Sequence, residues 1–352
     1  MVQSMPIQRV VVCATQVPFV SGGAEYHVAE LVSQLRRHGY LAELVSLPFK
    51  WYPREEILAH AAAWRLLDLS EANGQTIDCA IATRFPSYFA RHPRKVAWII
   101  HQYRAAYDLC GTPYSDFGHV EVDVGLRQKL MALDRQMLGE CRRVFTNAAN
   151  TARRLAEFNG VAATPLYHPP RLAPRLRGGP AGSDVLAVGR IDATKRIELS
   201  VHAMRDVVRP LRLIVVGEGN QREGLERVAA DSGVSDRLEF TGTVSDDALI
   251  DLYAGALATV YTPYDEDFGY VTLESFLAGK PVVTTNDSGG PLEFVEHDVN
   301  GLVCEPTSEA LAAAINRLHG DRSRAAALGE AGRERARAIT WDGVIEQLVG
   351  HA

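Results

Sequence analysis

The stretch Asp184-Val-Leu-Ala-Val-Gly-Arg190 decides the fold, because it is an apolar strand pattern that stops at a glycine and is followed at once by a cation. A helix pattern comes next at Glu198–Val208, and a second strand pattern at Leu211–Val216. Strands and helices that alternate at this spacing are typical of a parallel sheet with helices on both faces. Towards the C-terminus the alternation continues, with strands predicted at Leu238–Thr241, Ala258–Tyr261 and Pro281–Thr285 and helices at Arg222–Ser232, Asp246–Ala254, Val271–Leu277 and Asp342–Val349.

The first half of the chain repeats the pattern. The strand Arg9–Thr15 leads into the glycine turn Ser21–Ala24 and a helix that stops at Gly39. Further strands are predicted at Leu41–Leu47, Cys79–Ala82, Val96–Ile100 and Arg143–Thr146. The Pro- and Gly-rich segment Tyr167–Ser183 shows neither helical nor strand periodicity and is interpreted as an interdomain linker. The sequence therefore predicts an α/β protein of two doubly wound, Rossmann-like domains, with ligands bound at the carboxyl ends of the strands.

Composition and charge narrow the class of protein. The chain has 352 residues, 47% of them hydrophobic and 23% charged, and no apolar run approaches the roughly 18 residues of a membrane span. Residues 1–17 do not have the pattern of a secretory signal. Five scattered cysteines argue against both a disulfide framework and a zinc site, so a reducing, cytoplasmic location is expected. The net charge of −6 does not favour nucleic-acid binding, and the first half is mildly basic while the second is acidic.

Cations follow the strand Asp184–Val188 closely. Arg190 comes directly after its terminal glycine, and Lys195 and Arg196 come at the next helix entry. Arg190 and Lys195 could therefore converge on one anion above the sheet edge, and the role of Arg196 stays open. The alternative is that all three are ordinary surface cations.

Two glutamates, Glu266 and Glu274, mark a second candidate site. On one continuous helix they would point about 80° apart and lie roughly 12 Å apart, too far to serve one small ligand. If Gly269 makes a tight turn and the helix starts near Tyr270, the free N–H groups face a diphosphate instead. Glu266 then reaches the sugar hydroxyls of a nucleotide sugar, and Glu274 reaches the ribose. The alternative is an acid at a helix start that favours the macrodipole.

The segment Glu266-Asp-Phe-Gly-Tyr-Val-Thr-Leu-Glu274 resembles the glutamate–seven residues–glutamate motif of the retaining GT-B glycosyltransferases, in particular family 4 (group 1 glycosyl transferases). The likeness covers essentially residues 184–349. It is carried further by Gly189–Lys195, Val216–Gly219, Phe240–Thr243, Ser275–Thr285, Ser288–Glu293 and Asn300–Val303. The sequence departs from the motif at Asp267, where glycine is usual, and whether this carboxylate alters donor preference stays open.

The resemblance implies a GT-B fold. Residues 1–170 would form an acceptor-binding domain and residues 171–339 the domain that binds the nucleotide-sugar donor. The C-terminal helix, within residues 340–352, would cross back to the first domain and couple closure to binding.

The resemblance also implies roles for individual residues of the second half. Glu266 would contact the transferred sugar and Glu274 the ribose, while Arg190 and Lys195 would neutralise the leaving diphosphate. The remaining donor contacts would be made largely by the main chain: phosphate at Phe268, Gly269, Tyr270 and Val271, and the nucleobase at Thr243 and Val244.

In the first half, Gly22 and Gly23 would face the donor diphosphate and the acceptor, as the family's glycine turn does, and His101 would touch the donor sugar or the acceptor. A tight βα turn and a structural histidine are the alternatives. The aromatic and polar segment Tyr103–His119 is interpreted as an acceptor loop or an ordinary loop. The basic stretch Arg127–Arg154 is interpreted as a surface for anionic lipid or a solvated helix face.

The predicted reaction moves a sugar from a nucleoside-diphosphate sugar to the hydroxyl of a sugar, lipid-linked sugar or other acceptor, with retention of configuration. The expected setting is bacterial polysaccharide or glycoconjugate synthesis in the cytoplasm or at the inner face of the membrane. Neither a cofactor nor a metal is expected. Two alternatives stay open: a sugar-nucleotide 2-epimerase of the same fold, and a non-catalytic protein that binds sugar nucleotides.

Overall fold

The computed structural model describes residues 7–19 and 22–350, so Ser21 of the predicted glycine turn lies outside the described residues. The chain forms two compact units. The first ends at His168 and takes in the segment from Thr340 onward, and the second is Pro169–Ile339. The passage from one unit to the other after His168 lies inside the predicted linker.

In the first unit, the described residues form a six-stranded parallel sheet in the order β2-β1-β5-β6-β7-β8. A two-stranded antiparallel hairpin, β3 and β4, stands apart from it. The strands are β1 Arg9–Gln16, β2 Leu41–Pro48, β3 Glu71–Ala72, β4 Gln75–Thr76, β5 Cys79–Ala82, β6 Lys95–Ile99, β7 Arg143–Thr146 and β8 Thr164–Pro165. The helices are α1 Gly23–Arg37, α2 Glu56–Leu66, α3 Glu121–Gly139, α4 Ala149–Arg154 with a π-helical turn over Leu155–Asn159, and α11 Trp341–Val349.

In the second unit, the described residues form another six-stranded parallel sheet, in the order β11-β10-β9-β12-β13-β14. The strands are β9 Asp184–Val188, β10 Arg212–Val216, β11 Leu238–Gly242, β12 Ala258–Val260, β13 Val282–Thr285 and β14 Gly301–Cys304. The helices are α5 Ile197–Ala203, α6 Arg222–Asp231, α7 Asp246–Gly255, α8 Tyr270–Leu277, α9 Ser308–Gly320 and α10 Arg322–Arg337.

Apolar residues on both faces explain why the central strands are continuous hydrophobic runs. In β1, Val11 and Cys13 join one buried cluster while Val10 and Val12 join the cluster on the opposite face. In β9, Val185 and Leu186 divide between two clusters in the same way. A sheet covered on both faces needs apolar side chains at every position, which is the usual state of parallel sheets. The predicted doubly wound α/β fold is confirmed.

Helix α11 belongs to the core of the first unit although it is the last element of the chain. Trp341, Ile345 and Leu348 are buried in the cluster that also holds Trp98. The rings of Trp98 and Trp341 meet edge to face, 6.0 Å apart. The predicted return of the C-terminal helix to the first domain is confirmed. In the described part of the chain, no helix is both long and apolar enough to cross a membrane.

The aromatic side chains of Tyr103–His119 are mostly core residues, which favours the ordinary loop over the acceptor loop among the two interpretations. Tyr107 and Phe117 are buried with Tyr103 packed edge-on against Phe117. Arg54 lies over the Phe117 ring, 4.5 Å from its centroid. These rings therefore stabilise the unit, and stacking against a bound sugar is excluded for Tyr107 and Phe117.

Several arginines of the basic stretch Arg127–Arg154 bond to the first unit itself. Arg127 Nε donates to the carbonyl oxygen of Ala106 over 2.6 Å, and Arg135 Nε donates to that of Asn159 over 2.7 Å. The Arg154 side chain is buried beside Asp108. The buried Arg154 guanidinium is not available to lipid headgroups, so the alternative of a lipid surface is wrong for this residue. Arg135 stays exposed despite its hydrogen bond.

Candidate functional site

The strand order of the second unit creates a crevice at one edge of its sheet. The chain builds β10 and β11 on one side of β9 and then crosses to build β12, β13 and β14 on the other. At such a switch point the loops after the two central strands diverge, and ligands bind in the gap at the carboxyl ends. The loops that diverge here are residues 189–196 after β9 and residues 261–269 after β12.

Lys195 and Glu266, both predicted as site residues, meet at this switch point. Lys195 Nζ donates to Glu266 Oε2, and the Tyr261 hydroxyl donates to the same oxygen over 2.9 Å. Lys195 Nζ also lies 3.4 Å from the Tyr261 hydroxyl oxygen. The side chains of Lys195 and Glu266 each keep 16% of their surface exposed, so the pair is sheltered but still reachable by a ligand.

Tyr261 was not singled out by the sequence analysis. It is buried, and burial together with the neighbouring Glu266 carboxylate raises its pKa well above the ordinary value for tyrosine. The phenol therefore keeps its proton and acts as a neutral hydrogen-bond donor. Its position directly after β12 was the only sequence signal available.

The loop that carries Glu266 is held by main-chain pairing with the loop after β13. Glu266 N donates to Ser288 O over 2.9 Å, and Gly290 N donates back to Glu266 O over 2.8 Å. A Cβ at Gly290 would lie only 2.3 Å from Asp267 O, so this approach requires glycine. Two loops that are distant in sequence thus act as one rigid support for the carboxylate.

Arg196, whose role the sequence left open, supports the same loops. Its guanidinium makes two 2.7 Å hydrogen bonds to the Asp287 carboxylate and donates to the carbonyl oxygens of Thr262 and Pro263 over 2.9 Å. These bonds join the loop after β12 to the loop after β13. Arg196 is therefore a structural brace, and Lys195 is the cation of this pair that faces the carboxylate Glu266.

Arg190 is placed differently from Lys195. Its side chain is 67% exposed, and its Nε lies 3.7 Å from Asp192 Oδ2. Among the described contacts none joins it to Lys195 or Glu266. The predicted convergence of Arg190 and Lys195 on one anion would need the exposed Arg190 side chain to turn.

Helix α8 begins at Tyr270, as the sequence predicted. Gly269 precedes it with φ of 81°, in the left-handed region, and a Cβ there would lie 2.9 Å from the Tyr261 ring. The predicted phosphate-binding main chain at Phe268, Gly269, Tyr270 and Val271 is therefore the start of a helix, where N–H groups point outward.

Glu274 lies one turn into α8. It accepts a 2.9 Å hydrogen bond from the hydroxyl of the buried Tyr253 in α7. Burial raises the pKa of the Glu274 carboxyl, while the bond from Tyr253 and the charge of Arg171 act in the opposite direction. Tyr253 is a second residue that the sequence analysis missed.

Glycines line the carboxyl ends of the neighbouring strands. A Cβ at Gly217 would lie 2.0 Å from Gly189 O, and one at Gly219 would lie 2.2 Å from Ile191 O. The loops after β9 and β10 can approach each other only without side chains. Thr243 and Val244, the predicted nucleobase residues, follow β11 at this same edge, with Thr243 exposed and Val244 partly buried.

The first unit has its own cluster at the carboxyl edge of its sheet. Gly22 is the N-cap of α1, and Gly23 is the first helical residue. Glu25 in the first turn accepts a 2.7 Å hydrogen bond from Arg84, which follows β5. Arg84 also donates to Thr15 O at the end of β1. Arg84 was missed by the sequence analysis, although a cation directly after a strand was the signal used for Arg190.

His101 follows β6 at the same edge of the first sheet, as predicted. Its Nδ1 lies 2.7 Å from the carbonyl oxygen of Gln102. Because a carbonyl only accepts, Nδ1 carries the hydrogen in this bond. Searched over residues 7–19 and 22–350, the protein has no group of three or more His, Cys, Asp or Glu side chains suited to hold a metal ion.

The model of the family described as Glycosyl transferases group 1 matches residues 181–335, which is most of the second unit. The match confirms the resemblance to group 1 glycosyl transferases that was inferred from the Glu266–Glu274 motif.

Among curated proteins, the chain is similar to the GDP-mannose-dependent alpha-(1-6)-phosphatidylinositol monomannoside mannosyltransferase of Mycobacterium tuberculosis, with 34% identity covering 56% of this chain and 58% of that protein. It is also similar to the D-inositol 3-phosphate glycosyltransferase of Nocardia farcinica, with 31% identity covering 61% and 53%. The chain thus spans little more than half the length of these relatives.

Among solved structures, the sucrose-phosphate synthase of Thermosynechococcus elongatus superposes with a TM-score of 0.74 at 19% identity and covers 97% of each chain. HepE (Alr3699) of Anabaena, solved in complex with UDP and glucose, superposes with a TM-score of 0.72 at 18% identity, covering 98% of this chain and 99% of that one. At this identity the likeness concerns the fold, which is GT-B.

Proposed function

We propose that the protein is a glycosyltransferase that moves a sugar from a nucleoside-diphosphate sugar to an acceptor hydroxyl. The observation that carries this proposal is the Lys195–Tyr261–Glu266 group beside the start of α8. A diphosphate needs a cation and helix N–H groups, and a sugar needs a carboxylate that reads hydroxyls. The group 1 family match over residues 181–335 supports the same assignment.

Different residues around the switch point bind different parts of the donor. Lys195 and the start of α8 bind the diphosphate, Glu266 binds hydroxyls of the transferred sugar, and Glu274 binds the ribose. Main-chain groups at Thr243 and Val244 hold the nucleobase. The exposed side chain of Arg190 turns to the leaving phosphate when donor is bound.

Transfer proceeds with retention at the anomeric carbon. The acceptor hydroxyl attacks from the face that the diphosphate leaves, and the departing phosphate oxygen accepts the hydroxyl proton. Lys195, Arg190 and the N–H groups of α8 stabilise the negative charge that develops on the diphosphate. Glu266 is occupied by Lys195 and Tyr261, so it serves the sugar hydroxyls and does not act as a nucleophile.

The first unit supplies the acceptor side through Gly22, Gly23 and His101. His101, whose Nδ1 donates to the Gln102 carbonyl, contacts the donor sugar or the acceptor in this proposal. The relatives named above act in phosphatidylinositol mannoside and inositol phosphate glycosylation. We therefore infer a sugar or lipid-linked sugar acceptor, used in the cytoplasm or at the inner face of the membrane, for polysaccharide or glycoconjugate synthesis.

Two substitutions test the site. Lys195→Ala and Glu274→Ala should each lower kcat/KM by about 10- to 150-fold, which corresponds to roughly 1.5–3 kcal/mol for hydrogen bonds to charged groups. Arg227→Ala removes an exposed cation of α6 in the same unit and should leave the rate unchanged. Near-wild-type turnover in both site variants would show that the donor site is elsewhere.

GDP-mannose is the first donor to assay and UDP-glucose the second, since related proteins and structures carry these groups in their names.

Whether the reaction needs a metal ion requires its own measurement. Asp265 and Asp267 flank Glu266 in the sequence, and carboxylates are ligands that divalent cations accept. We expect chelator-treated enzyme to keep its activity, since Lys195 and the helix start neutralise the diphosphate. Loss of activity that Mg²⁺ or Mn²⁺ restores would contradict this proposal.

Donor incubated with the enzyme alone distinguishes transfer from its alternatives. Nuclear magnetic resonance should show slow hydrolysis of the sugar nucleotide by a transferase. Epimerised donor would identify a 2-epimerase, and an unchanged donor that nevertheless binds would identify a non-catalytic protein.

A further inference from the structure

Each of the two motif glutamates is held by its own buried tyrosine. The Tyr261 hydroxyl donates to Glu266 Oε2 and the Tyr253 hydroxyl donates to Glu274 Oε2, both over 2.9 Å. Tyr261 follows β12, whereas Tyr253 lies in the last turn of α7, which precedes that strand. Two tyrosines eight residues apart therefore contact two glutamates that are also eight residues apart.

Burial keeps the two tyrosine hydroxyls protonated, so that each can donate a hydrogen bond. The pKa of Tyr253 and of Tyr261 is raised well above the ordinary value, first by burial and second by the neighbouring carboxylate. Each phenol keeps its proton and donates a hydrogen bond to the glutamate oxygen. A buried hydroxyl without its partner is costly, which favours one orientation of each pair.

The two pairs differ in what surrounds them. Tyr261 contacts other parts of the candidate donor site, because Lys195 Nζ lies 3.4 Å from its hydroxyl and a Cβ at Gly269 would lie 2.9 Å from its ring. It thus connects the cation, the sugar-side carboxylate and the helix start. Tyr253 is fully buried under α8 and reaches only its ribose-side carboxylate, Glu274, among these groups.

We propose that Tyr261 and Tyr253 are positioning residues with separate tasks, Tyr261 orienting Glu266 together with Lys195 for the transferred sugar and Tyr253 orienting Glu274 for the ribose. This inference rests on the proposed function for the meaning of the two carboxylates. Its consequence is that discrimination between donor sugars depends on Tyr261, whereas affinity for the nucleotide part depends on Tyr253.

A measurement on the ligand-free protein tests the positioning itself. Double-mutant cycles combine Tyr261→Phe with Glu266→Ala, and Tyr253→Phe with Glu274→Ala, and follow the free energy of unfolding in urea. Each pair should be non-additive, because removing either partner already breaks the bond. The crossed cycle of Tyr261→Phe with Glu274→Ala is the matched control and should be additive. Additive effects within the two contacting pairs would overturn the proposal whether or not the protein is a transferase.

Ligand binding tests the division of tasks. Calorimetry would compare GDP with GDP-mannose, and UDP with UDP-glucose, on the wild type and the two Tyr→Phe variants. Tyr261→Phe should weaken the sugar nucleotide about 5- to 10-fold and the free nucleotide less than about 2-fold, whereas Tyr253→Phe should weaken both alike by about 5- to 10-fold. If both variants lose affinity for nucleotide and sugar nucleotide to the same extent, or if the pattern is reversed, the proposed division of tasks is wrong.

Failure of the proposed function and failure of the tyrosine assignment would give different results. If the wild-type protein binds neither nucleotides nor sugar nucleotides, the proposed function is wrong, and the unfolding cycles still decide whether the tyrosines position the glutamates. If the wild type transfers sugar while the contacting cycles are additive, the function stands and the tyrosine assignment is wrong.

Discussion

At the scale of single residues, Asp134 is a carboxyl group that lies in the core of the first unit. It lies on α3, is fully buried, and accepts a 2.5 Å hydrogen bond from the Tyr107 hydroxyl. Tyr107 in turn accepts from Asn159 Nδ2, and Asn159 Oδ1 accepts from Gln102, the residue after His101. Burial raises the pKa of Asp134 to about 7.

The raised pKa predicts how stability depends on pH. The folded protein holds a proton on Asp134 that the unfolded chain loses above its ordinary pKa of 3.8, so this residue lowers stability as the pH rises from about 4 to 7. Asp134→Asn keeps an acceptor for Tyr107 without a charge, and it should raise the free energy of unfolding at pH 8 by on the order of 2 kcal/mol. Urea unfolding at pH 5 and pH 8 measures this, with the exposed Asp231→Asn as control. A variant that is less stable than the wild type at pH 8 would show that the native carboxylate is stabilised by charge.

At the scale of elements, the start of α8 depends on one glycine. Gly269 has a left-handed backbone, and a Cβ there would also lie 3.1 Å from Pro291. Gly269→Ala should lower the free energy of unfolding by about 1–3 kcal/mol, because it adds backbone strain and a steric clash at the same place.

The matched control is Gly224→Ala inside α6, where a Cβ would meet nothing within 4 Å. That change should be neutral or stabilise by up to about 1 kcal/mol, since alanine favours the helix. Thermal unfolding of both variants compares the two positions. Equal stability of the two alanine variants would contradict the role given to Gly269.

At the scale of the whole molecule, the chain leaves the first unit after His168 and returns to it at Thr340. The residues next to both passages meet in one buried cluster: His27 Nδ1 lies 2.9 Å from His168 Nε2, and both Trp98 and Trp341 pack against His168. Burial lowers the pKa of His27 well below its ordinary value, so its ring is neutral in the fold. The first unit is therefore complete only when the end of the chain has returned.

This organisation predicts that a destabilising substitution in α11 affects the stability of the first unit and not that of the second. Leu348→Ala removes a fully buried side chain and should destabilise the first unit by about 2–5 kcal/mol. Gln347→Ala, at the exposed neighbouring position, should have little effect. Hydrogen exchange should show lost protection in β1 but not in β9. Equal loss in both strands would mean that the two units unfold as one.

Much of the fold could be predicted because its strands are apolar runs with clear ends. Cys79–Ala82, Arg143–Thr146 and Asp184–Val188 have the bounds that the sequence predicted. Helix α10 was not predicted, because small residues make its contacts: a Cβ at Gly329 would lie 2.1 Å from Gly279 O, and one at Gly332 would lie 2.3 Å from the Phe276 ring. Hydrophobic periodicity does not register a helix that packs through glycines.

Local patterns and one motif were enough to predict the α/β class, the two-part organisation and the start of α8. The folded structure was needed to show that Lys195 contacts Glu266 and Tyr261, that Arg196 braces loops instead of binding phosphate, and that Tyr107 lies in the core. The physical reason is the strand order, which places β9 beside β12 and so brings together residues about seventy positions apart. Neighbours of that kind are set by which strands pair, and no local pattern in the chain records it.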